Sequence, residues 1–221
     1  QHLDGLIRDV LDLASSQVGQ LRLVREPLDL HEALEVVVVI GDQMARDKGL
    51  RWNTEIPTSL PKVWGDRTRL RQVALNLVSN AFRFTSEGEV RLSVEVFEDQ
   101  IKVSVSDTGL GVPPCAQEAI FDEFRQSERT AARGYGGLGL GLAISRRLIE
   151  MHGGMIGLES SGEEGSGATF HFTLPTMDEE LEDIATLDDD FSSEQGRTVF
   201  VLTDRTATDE RLPTYLNDRG Y

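Results

Sequence analysis

The sequence predicts an α+β sandwich, a layer of helices packed on one face of a sheet whose other face is solvated. Three observations predict it. "EVRLSVEVF" (89–97) and "QIKVSVSD" (100–107) alternate apolar and polar residues around Glu98-Asp99, the pattern of a hairpin covered on one face. "GDRTRLRQVALNLVSNAFRFT" (65–85) instead repeats apolar residues at helical spacing, through Leu70, Val73, Ala74, Leu77 and Ala81. "MIGLES" (155–160) and "ATFHFTL" (168–174) then add two more strand-like runs after a second helical stretch.

Taken in order, residues 3–23 open the chain with Leu3, Leu6, Ile7, Val10, Leu11, Leu13 and Ala14 on one helical stripe. Such a stripe needs a second helix to cover it. Asp29 then serves as an N-cap and Gly49 as a stop, which predicts a helix over 30–48. "LRWNTEI" (50–56) reads as a strand, 65–85 as the long helix, and 89–107 as the hairpin. A glycine-rich stretch leads into a helix over 139–152, closed by His152-Gly153-Gly154, and the last two strands follow.

Composition narrows the functional classes. With 39% hydrophobic and 27% charged residues among 221, the chain has the make-up of a soluble globular protein. It contains no apolar run of about 20 residues and opens on no signal peptide, so a cytoplasmic location is expected, with a parent anchored in a membrane through an upstream sensor left open. A single cysteine, Cys115, excludes an internal disulfide framework. The net charge of −16 argues against direct nucleic-acid binding, which requires a basic surface. Much of that charge sits in 177–195, which carries nine acids and no Lys or Arg and reads as a self-repelling linker.

"RGYGGLGLGLAIS" (133–145) contains a G-x-G-x-x-G at Gly134, Gly136 and Gly139, with Glu159 twenty positions on. A dinucleotide fingerprint requires a hydrophobic strand running into the first glycine, and "QSERTAAR" is not one. A P-loop is excluded because no Gly-Lys-Ser/Thr follows. What remains is a set of glycines that free the backbone before a helix start whose N–H groups favour phosphate.

Three more segments carry chemistry. "NLVSNAFRFT" places Asn76 and Asn80 on one helix face, where carboxamide oxygens suit a Mg²⁺ shell completed by phosphate and water; two exposed asparagines would look the same. "VSVSDTGLGV" ends a strand at Asp107, followed by Gly109 and Gly111. Its carboxylate can accept a hydrogen bond from an exocyclic amine, or close an ordinary Asx turn. "FDEFRQSE" puts Phe121 and Phe124 on one side of a helical turn that opens a loop, in a core or as its anchor.

In this order the four segments resemble the ATP-binding domain of sensor histidine kinases, within the gyrase, heat-shock chaperone, histidine kinase and mismatch-repair superfamily, over 29–176. The resemblance implies a Bergerat-type fold, with a mixed sheet covered on one face by helices and with ATP and Mg²⁺ as cofactors. It implies that Asn80 coordinates Mg²⁺ and that Asn76 organises the phosphate end. Arg83 stands where the family usually has Lys, and Phe84 where an aromatic lines the nucleotide pocket. Asp107, with Gly109 and Gly111, would select the adenine amino group. Residues 125–138 would form a lid that includes Gln126. Gly137, Leu138, Gly139, Leu140 and Gly141 would shape the lid hinge and its phosphate contacts. Thr169 would sit near the base pocket.

Members that hydrolyse ATP carry Glu where this chain has Asn76. A carboxamide cannot take a proton from water, which favours transfer to a protein side chain. Residues 1–28 resemble the second helix of a dimerisation and phosphotransfer hairpin, which implies a homodimer built on a four-helix bundle. The acceptor histidine of that hairpin would lie outside this chain, since His2, His31, His152 and His171 lack the His-Glu-x-x-Thr/Asn-Pro context. After the linker (177–196), residues 197–221 resemble the start of a response-regulator receiver domain. Asp204 matches one acid of its pair, and Thr203 replaces the other. The resemblance therefore implies the catalytic part of a hybrid histidine kinase, with a receiver domain as partner. A superfamily ATPase or serine kinase, or a non-catalytic nucleotide-binding module, is the alternative.

Overall fold

The computed structural model describes residues 22–125 and 139–177. The N-terminal helical stripe up to residue 21, Gln126, Gly137, Leu138, the acidic linker beyond Met177 and the receiver-like segment lie outside the described residues. The described elements run β1 (Glu26–Leu28), α1 (Leu30–Lys48), β2 (Arg51–Glu55), β3 (Val63–Gly65), α2 (Arg67–Phe84), β4 (Glu89–Val96), β5 (Gln100–Asp107), two short 3₁₀ turns (Pro114–Ala116 and Ala119–Phe121), α3 (Gly141–Met151), β6 (Ile156–Glu159) and β7 (Ala168–Pro175).

The caps fix the helix boundaries. Asp29 accepts the His31 N–H at 2.9 Å and starts α1. Gly49, at φ 70°, ends it by returning its N–H to the last-turn carbonyls. Asp66 starts α2, accepting from the N–H groups of Thr68 (3.0 Å) and Arg69 (3.1 Å). The same carboxylate accepts the Val24 N–H, and the Asp66 N–H donates to His152 Nε2 at 3.0 Å. His152 Nδ1 lies 2.7 Å from the Leu148 carbonyl, so the ring is neutral with its proton on Nδ1. Burial lowers its pKa in agreement with that pairing. The start of α2 and the end of α3 are thus joined by one buried polar node.

The sheet is mixed, in the order β2-β4-β5-β7-β6. The β4–β5 hairpin is antiparallel, pairing Val90 with Asp107 and Val96 with Ile101, and β2 joins parallel to β4. Alternate residues Val90, Leu92 and Val94, Ile101, Val103 and Val105, and Phe170, Phe172 and Leu174 are buried under the helices. The intervening Arg91, Ser93, Lys102, His171 and Thr173 face the other way, on the wetter side. The helical stripe expected of Leu70, Val73, Ala74, Leu77 and Ala81 is buried in α2, and Val78 and Phe82 widen it. Leu77 lies at the centre of that core at 0% exposure. Leu77→Ala is expected to cost about 2–5 kcal/mol, measured as a lower urea midpoint at unchanged m-value.

A small second sheet was not anticipated. β1 pairs antiparallel with β3, Leu28 opposite Val63. Thr176 bridges Val63 from the other edge, and the Met177 N–H donates to the Lys62 carbonyl at 2.8 Å. Three-residue strands carry too little periodicity to be read from a sequence.

Candidate nucleotide-binding site

The site forms where α2, the loop after β5 and the start of α3 converge. Spacings of four and three place Asn76, Asn80 and Arg83 along one side of α2, all half-buried. The Asn76 Nδ2 donates to Ser145 Oγ at 2.9 Å, joining α2 to α3. The Arg83 guanidinium lies 5.5 Å from the centroid of the Phe84 ring, a cation–π contact that holds the charge at the end of α2.

Asp107 ends β5 on the face that carries Val103 and Val105. The N–H groups of Gly109 (2.8 Å to Oδ1) and Ala168 hold its carboxylate. Burial outweighs those donors and pushes its pKa up to about 6. Both glycines of this loop are required by their surroundings. A Cβ on Gly109 would collide with the Phe84 carbonyl, so the end of α2 touches the Asp107 loop directly. Gly111, at φ 65°, packs against the 160–167 segment. An open cleft of about 470 Å³ lies beside Asp107, walled by Ser160, Ser161, Glu163 and Ser166.

At the start of α3, Leu140 has no side chain that could cap the helix. The N-cap position thus gives the first-turn N–H groups no side-chain acceptor, which suits an anion at this helix start. Gly139, at φ 68°, turns the backbone here, close to the Arg125 carbonyl. Gly141 has a different task. A Cβ there would collide with the Asn76 carboxamide oxygen, so the glycine admits Asn76.

Side-chain placement refines two expectations, for Thr169 and Leu140, and corrects a third, for Phe121 and Phe124. Thr169 does not share a face with Asp107. Strand alternation turns it to the opposite face, where its Oγ1 lies 2.9 Å from Ser106 Oγ, and Ala168 stands across from Asp107 instead. Thr169 nevertheless lines the same open cleft as Asp107. Leu140 is 1% exposed and belongs to the core beneath the site. Phe121 and Phe124 do not share a helical turn. Phe121 is buried edge-on to Phe170 at 6.4 Å, whereas Phe124 is 63% exposed at φ 60°, a left-handed conformation that ends the turn.

Residues 65–178, just over half of the chain and including all of these groups, match the family described as histidine kinase-, DNA gyrase B- and HSP90-like ATPases. The chain belongs to that family. It is 34% identical over its whole length to the circadian input-output histidine kinase CikA of Thermosynechococcus vestitus, covering 31% of that protein. The structure of full-length ShkA in complex with AMPPNP matches with a TM-score of 0.69 at 35% identity, over 80% of this chain and 36% of that one. The histidine kinase ThkA in complex with the response regulator TrrA matches at 0.61 and 28%, over 79% and 49%. This chain spans less than a third of the length of the curated relatives it matches.

As an ATP-binding domain of that family, the chain uses residues that its motifs did not reveal. Ser145 and the Asp66–His152 pair tie the helices that carry the site. The only signal for Ser145 was a polar residue on the apolar face of "LAISRRLI". Among the described residues no helix is long and apolar enough to cross a membrane.

Proposed function

We propose that this chain is the catalytic part of a sensor histidine kinase, binding Mg-ATP and passing its γ-phosphoryl to a histidine on a helical hairpin. The observation that carries this reading is Asp107: a partly buried carboxylate, held by two backbone N–H groups at a strand end, on the helix-covered face of the sheet and at the edge of an open cleft. Such a carboxylate accepts from an amine donor and rejects a carbonyl, which selects adenine over guanine.

Asn76 and Asn80 fit a hard cation through their carboxamide oxygens, and the Asn76 nitrogen is already engaged by Ser145. Bound there with the nucleotide, Mg²⁺ would neutralise charge on the phosphate oxygens. Arg83 adds a fixed positive charge at the same end of α2. The α3 start offers its N–H groups to phosphate, and Phe84 offers an apolar ring to the nucleotide. With Asn76 where a hydrolytic base would stand, none of the three α2 side chains can activate water, and the arrangement favours transfer.

In this reading residues 1–28 finish the hairpin, 29–176 form the ATP-binding domain, 177–196 link, and 197–221 begin a receiver domain. Homodimerisation through the hairpins and phosphotransfer to a response regulator, the class of partner seen with ThkA, follow from that layout. The test is calorimetric titration of the chain with ATP and GTP, each with and without Mg²⁺. ATP should bind at least about tenfold more tightly than GTP, and Mg²⁺ should strengthen it. Equal binding of the two nucleotides would overturn the reading.

A further inference from the structure

α2 and α3 pack against each other, and Val73 and Leu77 on one and Ile144 and Leu148 on the other are buried. Ser145, 1% exposed, places a hydroxyl in this interface. A buried hydroxyl must find a partner, and this one lies 2.9 Å from Asn76 Nδ2. Gly141, one helical turn earlier, lies on the same face of α3. There the Asn76 carboxamide oxygen approaches so closely that no Cβ would fit.

These two contacts define both ends of one amide. Its nitrogen is committed to Ser145, and its oxygen is turned to the first residue of α3. The orientation matters chemically, because the oxygen of a carboxamide ligates a hard cation and its NH₂ group repels one. Without the Ser145 hydroxyl, the amide loses the hydrogen bond that anchors its nitrogen on α3 and is free to rotate.

We infer that Ser145 is a positioning residue: it fixes the Asn76 carboxamide with its oxygen toward the α3 start, and with Gly141 it couples that start to the cation- and phosphate-binding face of α2. The inference rests on the Mg-ATP reading above and adds to it a route by which the lid end of α3 bears on the asparagines. It also explains a serine in an otherwise apolar helix face.

The test uses the whole chain, with AMPPNP affinity measured by calorimetry across a Mg²⁺ titration. Ser145→Ala should weaken Mg-dependent binding about tenfold and shift the Mg²⁺ requirement upward, with Mg-free affinity unchanged. An unaltered Mg²⁺ titration would overturn the inference. Should Ser145→Ala melt several degrees lower, Ser145→Cys, of similar size but with a weak sulfur acceptor, is read in its place with the same two outcomes. Asn76→Ala closes the cycle. If Ser145 acts through Asn76, the double variant binds no worse than Asn76→Ala alone; losses that multiply would count against it. An Asn76→Ala variant with intact Mg²⁺ dependence would take Asn76 out of the cation site and overturn the inference, whereas equal binding of ATP and GTP by the parent chain would sink the underlying reading. A weakened Asn76→Ala beside a normal Ser145→Ala would sink only the positioning role.

Discussion

Asp107→Asn is expected to weaken ATP binding about 10- to 100-fold and to narrow or reverse the preference over GTP. The change is nearly isosteric, so the loss comes from donor and acceptor identity. The N–H groups of Gly109 and Ala168 would claim the new carboxamide oxygen, which turns its NH₂ toward the base. That group opposes the adenine amine and suits the guanine carbonyl. Calorimetry with both nucleotides reads the outcome, and an unchanged ATP-to-GTP ratio would remove Asp107 from the recognition role. A pH dependence accompanies it. The parent carboxyl titrates at about 6, so ATP affinity should fall as pH drops through that value, and Asp107→Asn should flatten the profile. The stability term has the opposite sense. The folded carboxyl takes up its proton between about pH 6 and the usual 3.8, before the unfolded chain does, so this group adds stability as pH falls through that window.

Asn80→Ala is expected to remove most of the Mg-dependent part of ATP affinity, on the order of 100-fold, while thermal melting of the free chain shifts little. Asn80 lies half-buried on the side of α2 that carries the site, and no core packing depends on it. Titrating ATP at several Mg²⁺ concentrations separates the two contributions. The Mg-free affinity should match the parent, because Asp107 and the α3 start are untouched. Retention of the full Mg²⁺ effect would mean that Asn80 does not meet the cation.

What could be read from the sequence followed from spacing. The Asp29 and Gly49 caps of α1, the buried stripe of α2 and the β4–β5 hairpin each depend on contacts a few residues apart. The same locality singled out Asn76 and Asn80 within one motif and Asp107 within another. What escaped depends on distant partners. β3 exists only because β1 lies on one edge and Thr176 on the other. Gly141 reads as a flexible hinge until Asn76, 65 positions upstream, is seen against it. Thr169 and Ala168 differ by one position, which in a strand is the difference between opposite faces, and no local pattern at "GSGATF" fixes that register.

The strand β3 has a mechanical consequence. Leu28 on the arriving segment and Thr176 on the leaving one lie across from Val63 on its two edges, so they stay two strand spacings apart, about 10 Å. A rearrangement elsewhere in the domain leaves that separation unchanged for as long as these hydrogen bonds hold. A domain closed in this way holds its entry and exit at a constant separation. A pull between the two would have to break those hydrogen bonds before it reached the nucleotide-binding face.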